Sequence, residues 1–391
     1  MRVLLTILCV TVLVTMAAPG LATDSTAISA GDPQPGFTLI NLDAMGIATR
    51  ARAHDPITLP TMWGDVLITS FQRVSAGVRI NHEDPQGALV DDGVFVPDVW
   101  HVASLDYSIT GLLLADGHQV RATLITPEGR STIEAGANGI ASSQPERLHR
   151  MYSADPTRPL FGVSHDVMLE PTTGPQPAPV PPAGVGVLTT QTKTMVAYVD
   201  DEFAGVWGTN TWPNHVIYLT SWLNGYMNDV ELIYDVQVMT RSDPGTSSWS
   251  TAWSWLGQRN YQGMNTRVFW SHVDYTSGGW CNLGMGSQPG TTAMLQTTDD
   301  ACHGWHVIDT DFERAYFMAH ELGHNNNAAH VTDNAGTSCQ SCPWSSGGYP
   351  HTHRSIMYQD TEFHLHECWS NTNANRMATH LGTSVVATTC N

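Results

Sequence analysis

The chain is poor in positive charge. Its 391 residues hold 17 lysines and arginines against 36 aspartates and glutamates, a formal net charge of -19, and Lys193 is the sole lysine. A surface of that sign repels phosphate backbones and anionic bilayers, so nucleic acid is not expected as a partner. A single lysine leaves Schiff-base chemistry one candidate amine, Lys193 itself. Past the N-terminus no apolar run approaches the roughly 20 residues of a spanning helix, and membrane insertion is not expected. Cysteine is missing from residues 23–280, so nothing there can form a disulfide or place a thiolate on a metal.

What is present falls into blocks. Residues 1–22 carry Arg2, an apolar run from Val3 to Val14 and small residues ending at Gly20, Leu21 and Ala22. That layout is a secretory signal peptide, which implies a secreted, extracellular protein in an oxidising compartment. The six cysteines that follow, Cys281, Cys302, Cys339, Cys342, Cys368 and Cys390, suit three disulfides. Cys339 and Cys342 could instead start a structural zinc site, but no second close Cys or Cys-His pair accompanies them.

Residues 23–170 show short alternating runs (65–69, 94–96 and 119–125) broken by Gly, Pro and Asp-Gly, the pattern of a β-rich domain. Residues 171–190 begin with a proline-rich stretch expected to be a semi-rigid linker open to cleavage. Residues 191–391 are enough for one further domain. A strand is expected at 195–199, and a helix opens at Pro213 with Val216, Leu219, Leu223, Tyr226, Met227 and Val230 at helical spacing. A second strand at 233–239, a shorter helix with Trp249, Ala252, Trp253 and Leu256 on one face, and strands near Val268 and Leu295 complete an α+β reading.

The chemistry concentrates in His320-Glu321-Leu322-Gly323-His324, followed by Asn325-Asn326-Asn327-Ala328-Ala329-His330. Histidines four apart lie one above the other on a helix, so both imidazoles reach one Zn²⁺ while Glu321 points along the cleft. Thr310 and Glu313 form a capping box at the helix start. Phe312, Ala315, Tyr316, Ala319, Leu322 and Gly323 make one apolar face, with the two histidines on its flank. For His330 to return as third ligand the helix must end at a left-handed residue, and Asn327 stands where that turn is required.

These residues resemble the metzincin metalloproteases, whose extended motif is H-E-x-x-H-x-x-G-x-x-H. Asn327 in the Gly position is similar to a variant found in the adamalysin (reprolysin) group. Ser355-Ile356-Met357-Tyr358 resembles the family's methionine turn beneath the zinc. The resemblance covers roughly residues 195–381 and implies a mixed twisted sheet with long helices, an active-site helix and an irregular C-terminal subdomain. Residues 99–134 and 149–152 resemble the propeptide of such enzymes, implying a β-rich prodomain. Residues 278–285 occupy the place of the cleft-rim edge strand, which can pair with an extended substrate through its backbone. The resemblance also favours Cys302 with Cys390 and Cys368 with Cys339 or Cys342. The chain departs from adamalysins at Val331, where Asp usually follows the third His. Gln359 stands where astacin-like members place a tyrosine ligand, so no tyrosine ligand is assigned.

The implied activity is zinc-dependent endopeptidase chemistry: one catalytic Zn²⁺ on His320, His324 and His330, a metal-activated water, Glu321 as general base, and Met357 as a hydrophobic floor. Calcium is admitted as a further ion with no residues assigned to it. Thermolysin-like enzymes share H-E-x-x-H but take a later glutamate as third ligand, a role open to Glu362 or Glu367. His351, His353, His364 and His366 are further metal-ligand candidates. Protein or peptide substrates and a monomer are expected. Alternatives are a hydrolase of cell-wall peptide and a catalytically silent zinc-binding adhesion protein. With no cysteine in residues 23–190, latency is expected from N-terminal cover of the cleft, with His165 or Asp166 able to reach the zinc. Cleavage near the linker would then release the catalytic domain.

Overall fold

Strand-forming residues dominate the first half of the chain, and helical spacing takes over only after residue 200. The computed structural model describes residues 37–61, 63–135, 148–153, 159–161, 190–275, 283–298, 311–330, 356–357, 362–364, 369 and 371–385. The stretch expected as a signal peptide, all but the last residue of the expected linker at 171–190, Thr310 and all seven cysteines lie outside these residues. So do His165, Asp166, Val331, His351, His353, Tyr358, Gln359, His366 and Glu367.

The first half runs β1 (Phe37–Asn41), α1 (Ala44–Ala53), β2 (Ile57–Thr61), β3 (Gly64–Ile68), β4 (Ser70–Arg73), β5 (Val78–Glu83), β6 (Leu89–Phe95), β7 (Val99–Ala103), β8 (Thr110–Ala115), β9 (Val120–Thr126), β10 (Gly129–Ala135), β11 (Leu148–Ser153) and β12 (Pro159–Phe161). The second runs β13 (Gln191–Val199), α2 (Asp201–Val206), α3 (Trp212–Met227), β14 (Leu232–Arg241), α4 (Trp249–Gln258), β15 (Thr266–Ser271), β16 (Gly284–Gly286), β17 (Thr292–Gln296), α5 (Asp311–Asn325), β18 (Glu362–His364) and α6 (Asn371–Leu381). The mixture of sheets and helices is α+β. The long helix has Pro at its start, where the missing N–H costs nothing.

Two seven-stranded sheets organise the molecule. The first, in order β1-β11-β10-β9-β8-β7-β4, is antiparallel throughout. It packs one face on α1 through Ala48 and Ala51, with Trp100, Leu113 and Ala122 in the same cluster. Asp43 caps α1 by accepting from the Gly46 N–H at 3.0 Å. The second sheet, in order β16-β17-β15-β13-β14-β5-β6, has five parallel strands in its middle and an antiparallel strand at each edge.

The second sheet does not divide where the sequence suggested. β5 and β6 belong to the region expected as a separate β-rich domain, yet β5 pairs with β14 in register Val238↔Arg79 to Arg241↔His82. Val78, Val99, Leu112 and Leu114 from that region share one hydrophobic cluster with the core around α3 and α5. Alternation along a strand announces the strand and not its partner, so this pairing had no signal in the sequence.

Candidate metal centre

The residues that end α5 decide the site. Asn327 has φ 75°, in the left-handed region. Its N–H donates to the His324 carbonyl at 2.8 Å, and the Ala328 N–H donates to the Gly323 carbonyl at 2.9 Å. That pair of bonds is a Schellman closure with Asn327 as the left-handed residue. The neighbouring asparagines lock the same end. Asn325 Oδ1 accepts from Ser287 Oγ at 3.2 Å. Asn326 donates to the Tyr234 hydroxyl at 2.7 Å and to the Leu322 carbonyl at 2.6 Å, and accepts from Lys193 Nζ at 2.7 Å. The sole lysine is thus tied to the C-terminal end of α5, where a cation is favoured. Burial pushes its amine down to about 8.

The reversal brings three imidazoles together. His330 Nε2 lies 3.3 Å from His320 Nε2 and 2.9 Å from His324 Nε2. The three ligand atoms all fall within 4.8 Å of one another, the one group of its kind among the described residues. Tetrahedral zinc with Zn–N of about 2.0–2.1 Å requires nitrogens roughly 3.3 Å apart. The protonation pattern fits as well. His320 Nδ1 is 2.6 Å from the Ile356 carbonyl, and His324 Nδ1 is 3.1 Å from the Ala328 carbonyl. A carbonyl only accepts, so both Nδ1 atoms carry the proton and both Nε2 lone pairs face the shared point. Converging lone pairs are stabilised by a cation, and the donor set suits zinc.

The surroundings differ from a flanking helix face. Except at Phe312, whose side chain is outside the description, every residue of α5 is buried, including His320, Glu321 and His324. The expected one-sided helix is enclosed because α3, β16 and β17 pack along it and Trp369 and Met357 lie against Gly323. Gly323 belongs to the apolar face for a steric reason. A Cβ there would sit 2.8 Å from the Trp369 ring and 2.9 Å from Met357 Sδ. Met357 is fully buried beneath the helix, and its neighbour Ile356 supplies the carbonyl that orients His320.

Edge strand β16 crosses the helix at the same level. A Cβ on Gly284 would overlap the Glu321 carboxylate, and one on Gly286 would overlap the Glu321 carbonyl and approach the His324 Cβ. The strand can run this close only because both residues lack side chains. It shares Gly284 and Met285 with the 278–285 stretch expected at the cleft rim, whose residues 278–282 lie outside the described residues, and in the described sheet it pairs on one side alone, with β17.

One contributor escaped sequence reasoning. Asn373 on α6, 2% exposed, accepts from the Ala329 N–H at 3.0 Å and donates to the Ala329 carbonyl at 2.9 Å. It fixes the backbone immediately before His330. A buried Asn beside the apolar Ala374, Met377 and Leu381 was the available signal. Asn373→Ala is expected to weaken zinc binding about tenfold by titration, the low end of losses at groups that orient a metal ligand. Unchanged affinity would show that the Ala329 backbone holds its course without the amide. Glu362 lies on β18, which pairs with β12 through Phe161↔Glu362.

No family model matches the sequence, and no curated protein does. Among solved structures, the metalloproteinase-II from Bacteroides fragilis is similar at TM-score 0.41 and 12% identity, over 83% of this chain and 91% of that one. A chaperone-substrate complex is similar at TM-score 0.32 and 10% identity, over 67% of this chain and 39% of that one. At these scores neither likeness assigns the chain an activity. Among the described residues no helix is long and apolar enough to cross a membrane.

Proposed function

We propose that the protein is a secreted zinc-dependent endopeptidase of the metzincin type, closest to the adamalysin group. The observation that carries the reading is the convergence of His320, His324 and His330 nitrogens with two of their tautomers fixed by backbone carbonyls. His320, His324 and His330 would hold the ion. A bound Zn²⁺ supplies Lewis-acid polarisation of a carbonyl and lowers the pKa of bound water towards 7. The chain supplies the rest. The Glu321 carboxylate, confined between α5 and β16, takes the proton of the attacking water and returns it to the leaving amine. The β16 backbone offers an edge along which an extended peptide can add as a further strand, holding the scissile bond beside Glu321.

Stripping the protein with a zinc chelator is expected to abolish cleavage of a mixed peptide library, and stoichiometric zinc to restore it. Mass spectrometry of the products reads both steps. Chelator-insensitive cleavage would remove the metal from the mechanism. Zinc binding without cleavage of any peptide would favour the silent binding protein, and cleavage confined to cell-wall peptides the other alternative.

A further inference from the structure

We infer that the N-terminal region from Phe37 to Phe161 is a permanent part of the folded protein, and that after a cut in the 171–190 linker it stays bound to the rest as a non-covalent subunit. The inference does not depend on the metal or on peptidase activity. It rests on three kinds of contact that a releasable cover does not need.

The first is sheet completion. β5 hydrogen-bonds in parallel along the C-terminal half of β14, and β6 closes that edge. Without the pair, β14 becomes an open edge, a liability for any soluble sheet. The junction is sealed by side chains. Asn81 donates to Gln262 Oε1 at 2.8 Å, and Gln262 donates to Thr240 at 2.9 Å. Glu83 accepts from Arg259 at 2.7 Å and from Ser242 at 2.6 Å.

The second is a buried charge cluster at the start of α5. Arg121 of β9 pairs with Asp311, their side chains 5% and 0% exposed. Arg314 lies 3.1 Å and His215 Nε2 3.3 Å from the same carboxylate. The Trp207 ring stacks on His215 at 3.8 Å, with the Arg121 guanidinium 4.7 Å from it. Burial alone would raise the Asp311 carboxyl, but these neighbours hold it down to about 2. Removing one partner of a buried pair leaves an uncompensated charge, which is strongly unfavourable.

The third is α3, buried along most of its length. Its Tyr218 hydroxyl bonds Thr123 at 3.0 Å, and Asn214 accepts from the Asp98 N–H at 2.8 Å. Leu112 and Leu114 join the cluster that contains Val216, Leu219 and Leu223. Departure of the first sheet would expose this apolar helix to water.

The test uses the full chain with a specific protease site, flanked by Gly-Ser spacers, inserted between Pro171 and Pro182. After complete cutting, both fragments are expected to co-elute on size exclusion at the size of the uncut protein and to separate only in denaturant. Arg121→Leu in the same cut protein is expected to weaken the association on the order of 10²-fold. Glu83→Gln, at the opposite contact, is a milder variant that keeps the fold and is expected to weaken it less. Separate peaks for the two wild-type fragments, or recovery of the N-terminal fragment alone in solution, overturns the inference.

Discussion

Glu321→Ala is expected to keep one zinc per chain and to lose peptide turnover by on the order of 10²-fold or more. Glu321 is 3% exposed and its carboxylate lies where a Gly284 side chain would stand, so its place is fixed by the strand it touches. Truncation to alanine removes the proton carrier and leaves the imidazoles, two of which are oriented by the Ile356 and Ala328 carbonyls. Metal content and kcat/KM are therefore expected to separate. A general base contributes in the reacting complex, so the loss belongs in kcat, with KM little changed. Metal analysis beside steady-state kinetics on one peptide decides it. Full turnover by the variant would sink the mechanism, and joint loss of zinc and activity would recast Glu321 as a structural residue.

The contrast between what that site shows in sequence and what it hides is physical. A histidine pair at helical spacing, Asn327 at a forced left-handed position and the strands and helices from residue 191 to 296 are local events, set within a few residues of one another. The first strand begins at Gln191 rather than at 195 because polar residues at its start pair as well as apolar ones do. The carbonyls of Ile356 and Ala328 are backbone atoms, present at every position, so no residue type marks them. The pairing of β5 with β14 joins residues more than a hundred positions apart, and its alternation is the same for any partner. Nothing in the sequence links Arg121 to Asp311, which only the fold places against each other out of water.

The same separation of local from distant signals explains why α5 is more enclosed than its single apolar face suggested. Glu313, expected in a capping box, and Arg314, outside the apolar face, are both buried, Arg314 against Asp311 and Trp207. The helix that carries the histidines is therefore braced at both ends: by the charge cluster at Asp311 and by the asparagine run with Lys193 at its close. A braced helix holds His320 and His324 at fixed spacing before any ion arrives, which reduces the ordering cost of binding.

His330→Ala is expected to weaken zinc binding on the order of 10²-fold while Glu362→Ala and Glu367→Ala leave it within about twofold. The size follows from dividing the roughly 10–16 kcal/mol of a four-ligand zinc site among its ligands, which gives about 3 kcal/mol each. His330 earns the larger effect by position. Its Nε2 stands 3.3 and 2.9 Å from the other two, whereas Glu362 belongs to a strand paired with Pro159–Phe161. The variant removes a side chain that is only partly buried and lies beyond the end of α5, so the helix, its Schellman closure and the Asn373 clamp on Ala329 remain. Circular dichroism of the metal-free proteins should therefore match, and zinc titration against a competing chelator should not. Loss of zinc in Glu362→Ala or Glu367→Ala with retention in His330→Ala would move the third ligand to a glutamate and make the centre thermolysin-like.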